Sequence, residues 1–284
     1  ISGTYGDLVI KSDGSYTYTL KTATIPANVA NETFTYQITD KDGDTDLAQL
    51  VITLNQNATV PDVTGSTATV YEDGLADGVQ HGATSETTTG TFTVDGNNES
   101  YTLTLDGDLN PAQTITAVGQ SVTTTKGVLT ITSISAPDAG GVVTYGYSYT
   151  LTAALTHTGQ GEINPLTDTI TMTVSDATGD TDTTPGNIVI SIVDDIPVAQ
   201  NDANSVSEGL GNATSGNVYD SVGATAGDVA DTIGADVPAA GAEVTGARVG
   251  TEAGGGALTG VTAGGTTISG TYGDLVIKSD GSYT

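Results

Sequence analysis

The chain has 284 residues, with 34 Asp plus Glu against 6 Lys plus Arg, for a formal net charge of −28. That balance argues against nucleic acid or an anionic membrane surface as partner and makes cations the natural counterpart. There is no cysteine to staple the fold, and no stretch reaches the roughly 18 apolar residues that a membrane helix needs. Charge repulsion of this size weakens a compact state unless it is neutralised, so divalent-ion binding or a saline setting is expected. Apolar residues make up 36% of the chain, and their alternating runs suffice to cover a sheet face, which weighs against disorder.

The first predicted element is a hairpin over Gly6 to Leu20. Leu8, Val9 and Ile10 lead into Ser12-Asp13-Gly14-Ser15, and Tyr16, Tyr18 and Leu20 leave it on one face, with Thr17 and Thr19 on the other. Phe34, Tyr36 and Ile38 alternate with threonines before an acidic turn, and Leu50 to Leu54 continues after it. Further strands are predicted at Phe92 to Val94, Tyr101 to Leu105, Val128 to Ile131, Val143 to Leu151, Ile170 to Val174 and Ile188 to Val193. Turn chemistry at Asp95-Gly96, Asp106-Gly107, Asp138 to Gly141 and Thr178-Gly179 separates them. Gly211 to Gly265, rich in Ala and Gly, reads as strands with mobile connections. No window carries a 3.6-residue apolar stripe, so the fold class is all-β, an antiparallel sandwich.

Residues 1–17 return letter for letter as residues 268–284, a period of 267 residues. An identity of that length predicts a tandem array, with these 284 residues one period and the start of the next. A diverged repeat lies inside the period. At an offset of 136, Glu32 to Asp46 aligns without a gap to Asp168 to Asp182, Val70 falls on Val206, and Glu72 falls on Glu208. An offset of 131 carries Tyr16, Tyr18 and Leu20 onto Tyr147, Tyr149 and Leu151. The expected organisation is therefore the back half of one module (1–62), a complete module (63–198) and the front half of a third (199–284).

The strongest candidate site is Asp40-Lys41-Asp42-Gly43-Asp44-Thr45-Asp46, matched by Asp176, Gly179, Asp180 and Asp182. Alternate aspartates on an extended turn aim several carboxylates to one side, and Ca²⁺ takes six to eight such oxygens. Glycine is fourth from Asp40 and no glutamate follows, so this is not an EF-hand loop. The alternative is an acidic turn facing water. In a tandem sandwich the linker acids Asp194 and Asp195 and the module-opening Glu208 are expected to approach the second loop, so that calcium sits at a joint and stiffens it. The first joint has Ala58 and Thr59 where the second has Asp194 and Asp195. Asp62, Glu72 and Asp73 are its candidate substitutes. His81 and His157 are the only histidines and stand in no metal-ligand spacing, and no catalytic constellation emerges. The tyrosines read as sheet packing, and the absence of Trp weakens a sugar-stacking reading.

GTYGDLVIKSDGSYTYTL followed by ETFTYQITDKDGDTDLAQLVITL resembles the VCBS-type repeat of bacterial surface proteins. DTITMTVSDATGDTD followed by NIVISIVDDIPVAQND resembles the long repeat of type I secreted giant adhesins of the RTX class. The resemblance implies immunoglobulin- or cadherin-like extender modules, exported to the cell surface or biofilm matrix and rigidified by extracellular calcium, with no catalysis. It implies calcium-associated positions at Asp40, Asp42, Asp44, Asp46, Asp176, Asp180 and Asp182, with Asp194, Asp195 and Glu208 as linker partners; Thr178 stands where the first loop has Asp42. The expected partners are neighbouring repeats of the same chain. The rival functions are an extracellular filament completed by strands of neighbouring copies and a glycan-binding module.

Overall fold

The computed structural model describes residues 1–22, 25, 29–55, 60–80, 84–97, 99–109, 111–159, 161–177, 179–182, 184, 186–220 and 229–284. Ala58, Thr59, His81 and Thr178 lie outside these. The chain is all-β, with short 3₁₀ turns at Glu72–Gly74 and Glu252–Gly254. No helix among the described residues is long and apolar enough to cross a membrane.

The first 54 residues form two separate antiparallel pairs: β1 (Gly6–Ile10) with β2 (Tyr16–Leu20), and β3 (Asn31–Thr39) with β4 (Thr45–Thr53). The predicted hairpins are present. Gly14 and Gly43 make their turns with φ of 84° and 100°, a left-handed conformation that a side chain resists and glycine accepts.

The complete module packs two five-stranded sheets. It runs through β5 (Asp62–Thr64), β6 (Ser66–Tyr71), β7 (Thr87–Asp95), β8 (Tyr101–Asp106), β9 (Gln113–Ile115), β10 (Ser121–Thr123), β11 (Gly127–Ile134), β12 (Val142–Leu151), β13 (Leu166–Asp176) and β14 (Gly186–Val193). One sheet has the order β10-β11-β12-β7-β5 and the other β6-β14-β13-β8-β9. Period-two alternation does the work: along β13, Ile170, Met172 and Val174 point inward with no exposed surface, and Asp168 and Asp176 occupy the same face nearer its two ends. Phe92, Leu105, Leu129, Tyr147, Tyr149 and Ile190 close the core from the other strands. Phe92 stacks on Tyr145 with ring centroids 5.1 Å apart, an offset arrangement that aromatic quadrupoles favour.

One pairing in the module is parallel: β6 lies along β14, with Ile188 opposite Ser66 and Val193 opposite Tyr71. First and last long strands that run the same way carry the chain in at one end of the sandwich and out at the other. The remaining residues form β15 (Gly216–Asn217), β16 (Gly246–Ala247), β17 (Thr259–Gly260), β18 (Thr266–Ser269), β19 (Asp274–Ile277) and β20 (Ser282–Tyr283). These make a sheet β15-β20-β19-β18 and a separate pair β16-β17. Among its described residues the Ala- and Gly-rich stretch Gly211 to Gly265 thus yields strands of two residues each.

Candidate metal centre

The parallel register of β6 and β14 sets the exit end of the module. Tyr71 lies opposite Val193, so the next residues, Glu72 and Asp194, are carried side by side. Glu72 is fully buried, at 0% exposure. Its Oε1 accepts the Leu155 N–H at 2.8 Å and lies 3.3 Å from Nε2 of His157. Its Oε2 is buried with no hydrogen-bond partner among the described residues. An ionised oxygen in that position is costly unless something positive or a donor meets it.

His157 enters from the segment between β12 and β13, its side chain only 4% exposed. Ligand atoms of Glu72, His157 and Asp194 lie within 4.8 Å of one another. Asp236, from beyond the linker, faces Asp194, Asp195 and His157; burial first and the Asp194 charge second push its carboxyl above the ordinary range. Burial likewise raises Glu72, outweighing the Leu155 N–H and the His157 ring. Asp195 takes a different role. Its Oδ2 accepts the N–H of Val79 at 2.9 Å and of Ala235 at 2.8 Å, which ties the linker to chain on both sides of the joint. Val198 and Thr232 exchange two backbone hydrogen bonds just beyond it.

Three carboxylates that repel one another, one with an unpartnered buried oxygen, suit a hard divalent cation with oxygen ligands. The residues present fit calcium: Glu72 Oε2 and Asp194 would hold it, His157 would orient Glu72 through Oε1, as second partners commonly do for ligating groups, and the charge of Asp236 lies near enough to be felt there.

The two aspartate loops do not join this centre. Asp176 and Asp182 sit at the entry end, separated from Asp194 by the length of β14, which is eight residues or about 26 Å. The expectation that the second loop meets the linker acids is therefore corrected. Asp176 Oδ1 accepts the N–H of Gly179 and Asp180 at 2.9 and 3.0 Å. Asp182 Oδ2 accepts the Val63 N–H at 3.2 Å and its Oδ1 accepts the Thr184 N–H at 2.8 Å. These bonds shape the turn and fasten it to the incoming strand. Asp180 is half-buried beside them.

In the first loop Asp40, Asp42 and Asp44 gather within 4.8 Å and are all exposed. Asp40 Oδ1 accepts the N–H of Gly43 and Asp44, repeating the Asp176 turn. The Asp42 side chain and the Asp44 N–H hold the Asp40 carboxyl below its usual range. Asp46 accepts the N–H of Leu47. Glu208, equivalent to Glu72 by alignment, is exposed and stands outside any ligand cluster among the described residues.

Of the expected set, the structure brings together Glu72 and Asp194 and adds His157, while Asp195 binds backbone N–H groups beside them. Sequence reasoning set His157 aside because it looked for ligand spacing along the chain, whereas a parallel strand pairing creates this proximity. Nothing in the sequence marks Asp236. Comparison with known proteins gives no match, either to a protein-family model or to a curated protein.

Proposed function

We propose that the chain is an extender repeat of a long secreted bacterial surface adhesin, a spacer that holds a distal binding domain away from the cell. The observation that carries this reading is the parallel β6–β14 pair, which lets modules follow one another end to end. The 17-residue identity supports it, because a spacer needs length and uniform stiffness and no distinct site in each copy. Calcium is the proposed stiffener. It would be held by Glu72 and Asp194 at the joint, with the Asp236 charge from the far side drawn towards it, and Asp195 already clips both sides by hydrogen bonds. The reading places the protein outside the cell, where calcium reaches the roughly 10⁻⁴ to 10⁻³ M that such modules use.

The test is a thermal melt with small-angle scattering, in EDTA and across a calcium titration. Saturation near a hundredfold over Kd stabilises the joint by about 2.7 kcal/mol, and the particle lengthens. Glu72→Gln with Asp194→Asn removes both effects while Asp42→Asn leaves them. The sign of the pH dependence is fixed by Glu72. Its raised carboxyl binds a proton more tightly folded than unfolded, so metal-free stability falls as pH rises past the ordinary Glu value. The calcium increment grows in that same direction. A melting temperature and length indifferent to calcium would refute the stiffened spacer.

A further inference from the structure

His157 stands between two acceptors. Its Nδ1 lies 3.4 Å from the Asn164 carbonyl oxygen and its Nε2 lies 3.3 Å from Glu72 Oε1. A carbonyl oxygen can only accept, so the ring proton belongs on Nδ1, and in the neutral imidazole Nε2 then turns a lone pair towards a carboxylate. Solvent does not reach the contact: the His157 side chain is 4% exposed and that of Glu72 not at all. Two acceptors facing each other in such a place need a positive centre between them, either a proton or a metal ion.

The distance separates these two. A proton on Nε2 makes a charge-assisted bond from imidazolium to carboxylate, which closes to about 2.7–2.9 Å. Two ligands of a tetrahedral Zn²⁺, with Zn–N of about 2.0–2.1 Å and Zn–O of about 2.0–2.2 Å, stand about 3.3–3.5 Å apart. The separation of 3.3 Å between Nε2 and Oε1 falls on that tetrahedral edge.

The surroundings agree with a small borderline ion. Ligand atoms of Glu72, His157 and Asp194 lie within 4.8 Å of one another, a set of one nitrogen and two carboxylates. Three protein ligands and a water make up the four that Zn²⁺ takes, whereas Ca²⁺ takes six to eight oxygens and gains little from an imidazole. The outer contacts are those of a ligating histidine and carboxylate: the Asn164 carbonyl fixes the ring tautomer, and the Leu155 N–H holds Glu72 Oε1 at 2.8 Å. Glu72 Oε2, buried with no hydrogen-bond partner among the described residues, leaves the carboxylate able to bind through either oxygen. Glu72 follows β6, Asp194 follows β14, and His157 lies between β12 and β13, so the three ligands are brought together by the pairing of the sandwich.

We infer that this centre takes a borderline divalent metal of the zinc class through His157 Nε2, Glu72 and Asp194, and takes it more tightly than calcium. The inference rests on the reading of the cluster as a metal centre and not on the spacer role. With calcium the imidazole stands behind Glu72; with zinc it becomes a ligand. Zinc therefore competes with calcium for the joint, and a small amount of the tighter ion holds the centre against a larger amount of the weaker one.

Isothermal titration of the full, metal-stripped chain with Zn²⁺ alone and with Ca²⁺ alone tests this. Zn²⁺ binds more tightly than Ca²⁺, and His157→Gln weakens Zn²⁺ by at least about tenfold while leaving Ca²⁺ nearly unchanged. Glu72→Gln weakens both. A second measurement needs no variant: in the wild type the Nε2 resonance of His157 takes on a metal-ligand shift with Zn²⁺ and not with Ca²⁺. Zn²⁺ affinity indifferent to His157→Gln places the ion on the exposed acidic loops and overturns the proposal. So does Zn²⁺ binding no tighter than Ca²⁺, or an Nε2 resonance that Zn²⁺ leaves in place, which would mean that a proton bridges the pair. Zn²⁺ binding at His157 with no response to Ca²⁺ supports the proposal and refutes the calcium stiffener, so the two readings fail separately.

Discussion

The hairpins at residues 6–20 and 127–151 are built on one pattern and end in different surroundings. Both place a tyrosine over a glycine and aim its hydroxyl, at 2.6 Å, at a carboxylate on the facing strand pair: Tyr18 at Glu32, Tyr149 at Asp168. In the complete module the brace is sealed. Tyr149 has no exposed surface, and Thr124 gives Asp168 a second donor. In the back part Tyr18 is only half-buried. Local sequence thus specifies the hairpin and its polar brace, while how far the core around them is sealed depends on the strands packed against them.

The largest expected difference lies in truncating the tyrosine one step along the same face. Tyr147→Ala removes a side chain with no exposed surface and leaves a cavity, a loss of about 3–5 kcal/mol by the precedent of large aromatic truncations. Tyr16→Ala, at a half-exposed position, changes the stability of dilute protein by less than about 0.5 kcal/mol. Urea unfolding of both variants measures this. Equal losses would mean that Tyr16 is packed as well as Tyr147.

A smaller contrast comes from the hydroxyls. Tyr149→Phe leaves the buried Asp168 with Thr124 as its remaining side-chain donor, a loss of about 2–3 kcal/mol because the stranded group is an acid. Tyr18→Phe costs about 1 kcal/mol, and it shows its effect in acid titration. Burial raises the Glu32 carboxyl, but the Tyr18 hydroxyl and the N–H groups of Thr4 and Tyr5 outweigh it and hold it below the ordinary range; the Tyr18 phenol is pushed up to about 12 by burial and by Glu32. A depressed carboxyl contributes stability above its unfolded value and loses it as pH falls through the folded one. The wild-type back part therefore loosens in acid below about pH 4.3, and Tyr18→Phe moves that loosening to higher pH.

What the sequence made legible follows from the range of the physics. Strands with period-two alternation, such as Leu166–Asp176, and turns with glycine at positive φ, at Gly14, Gly43 and Gly179, are local and were readable. The repeat offsets anticipated the shared brace, because Tyr18 with Tyr149 and Glu32 with Asp168 are aligned pairs. The joint was misplaced, since Glu72 meets Asp194 through a parallel pairing across more than a hundred residues, and no local pattern records which end of a sandwich a loop occupies. The front part was read as strands with loose connections. Its strands are two to four residues long, too short for a period-two pattern to mark them.

The smallest effect separates the two acidic loops, which look alike in sequence. Asp182 accepts the Val63 N–H at 3.2 Å and caps the Thr184 N–H, so Asp182→Ala strands a buried donor on β5 and costs about 1 kcal/mol, the bond being long. Asp46, its aligned counterpart, is exposed and among the described residues accepts from its own neighbour Leu47, so Asp46→Ala stays within about 0.5 kcal/mol. Urea midpoints of the two variants, taken without calcium, resolve the difference. A difference of that size would mean that the two loops have separate roles, the second holding β5 and the first holding no strand, so that the likeness of their sequences reflects the turn alone.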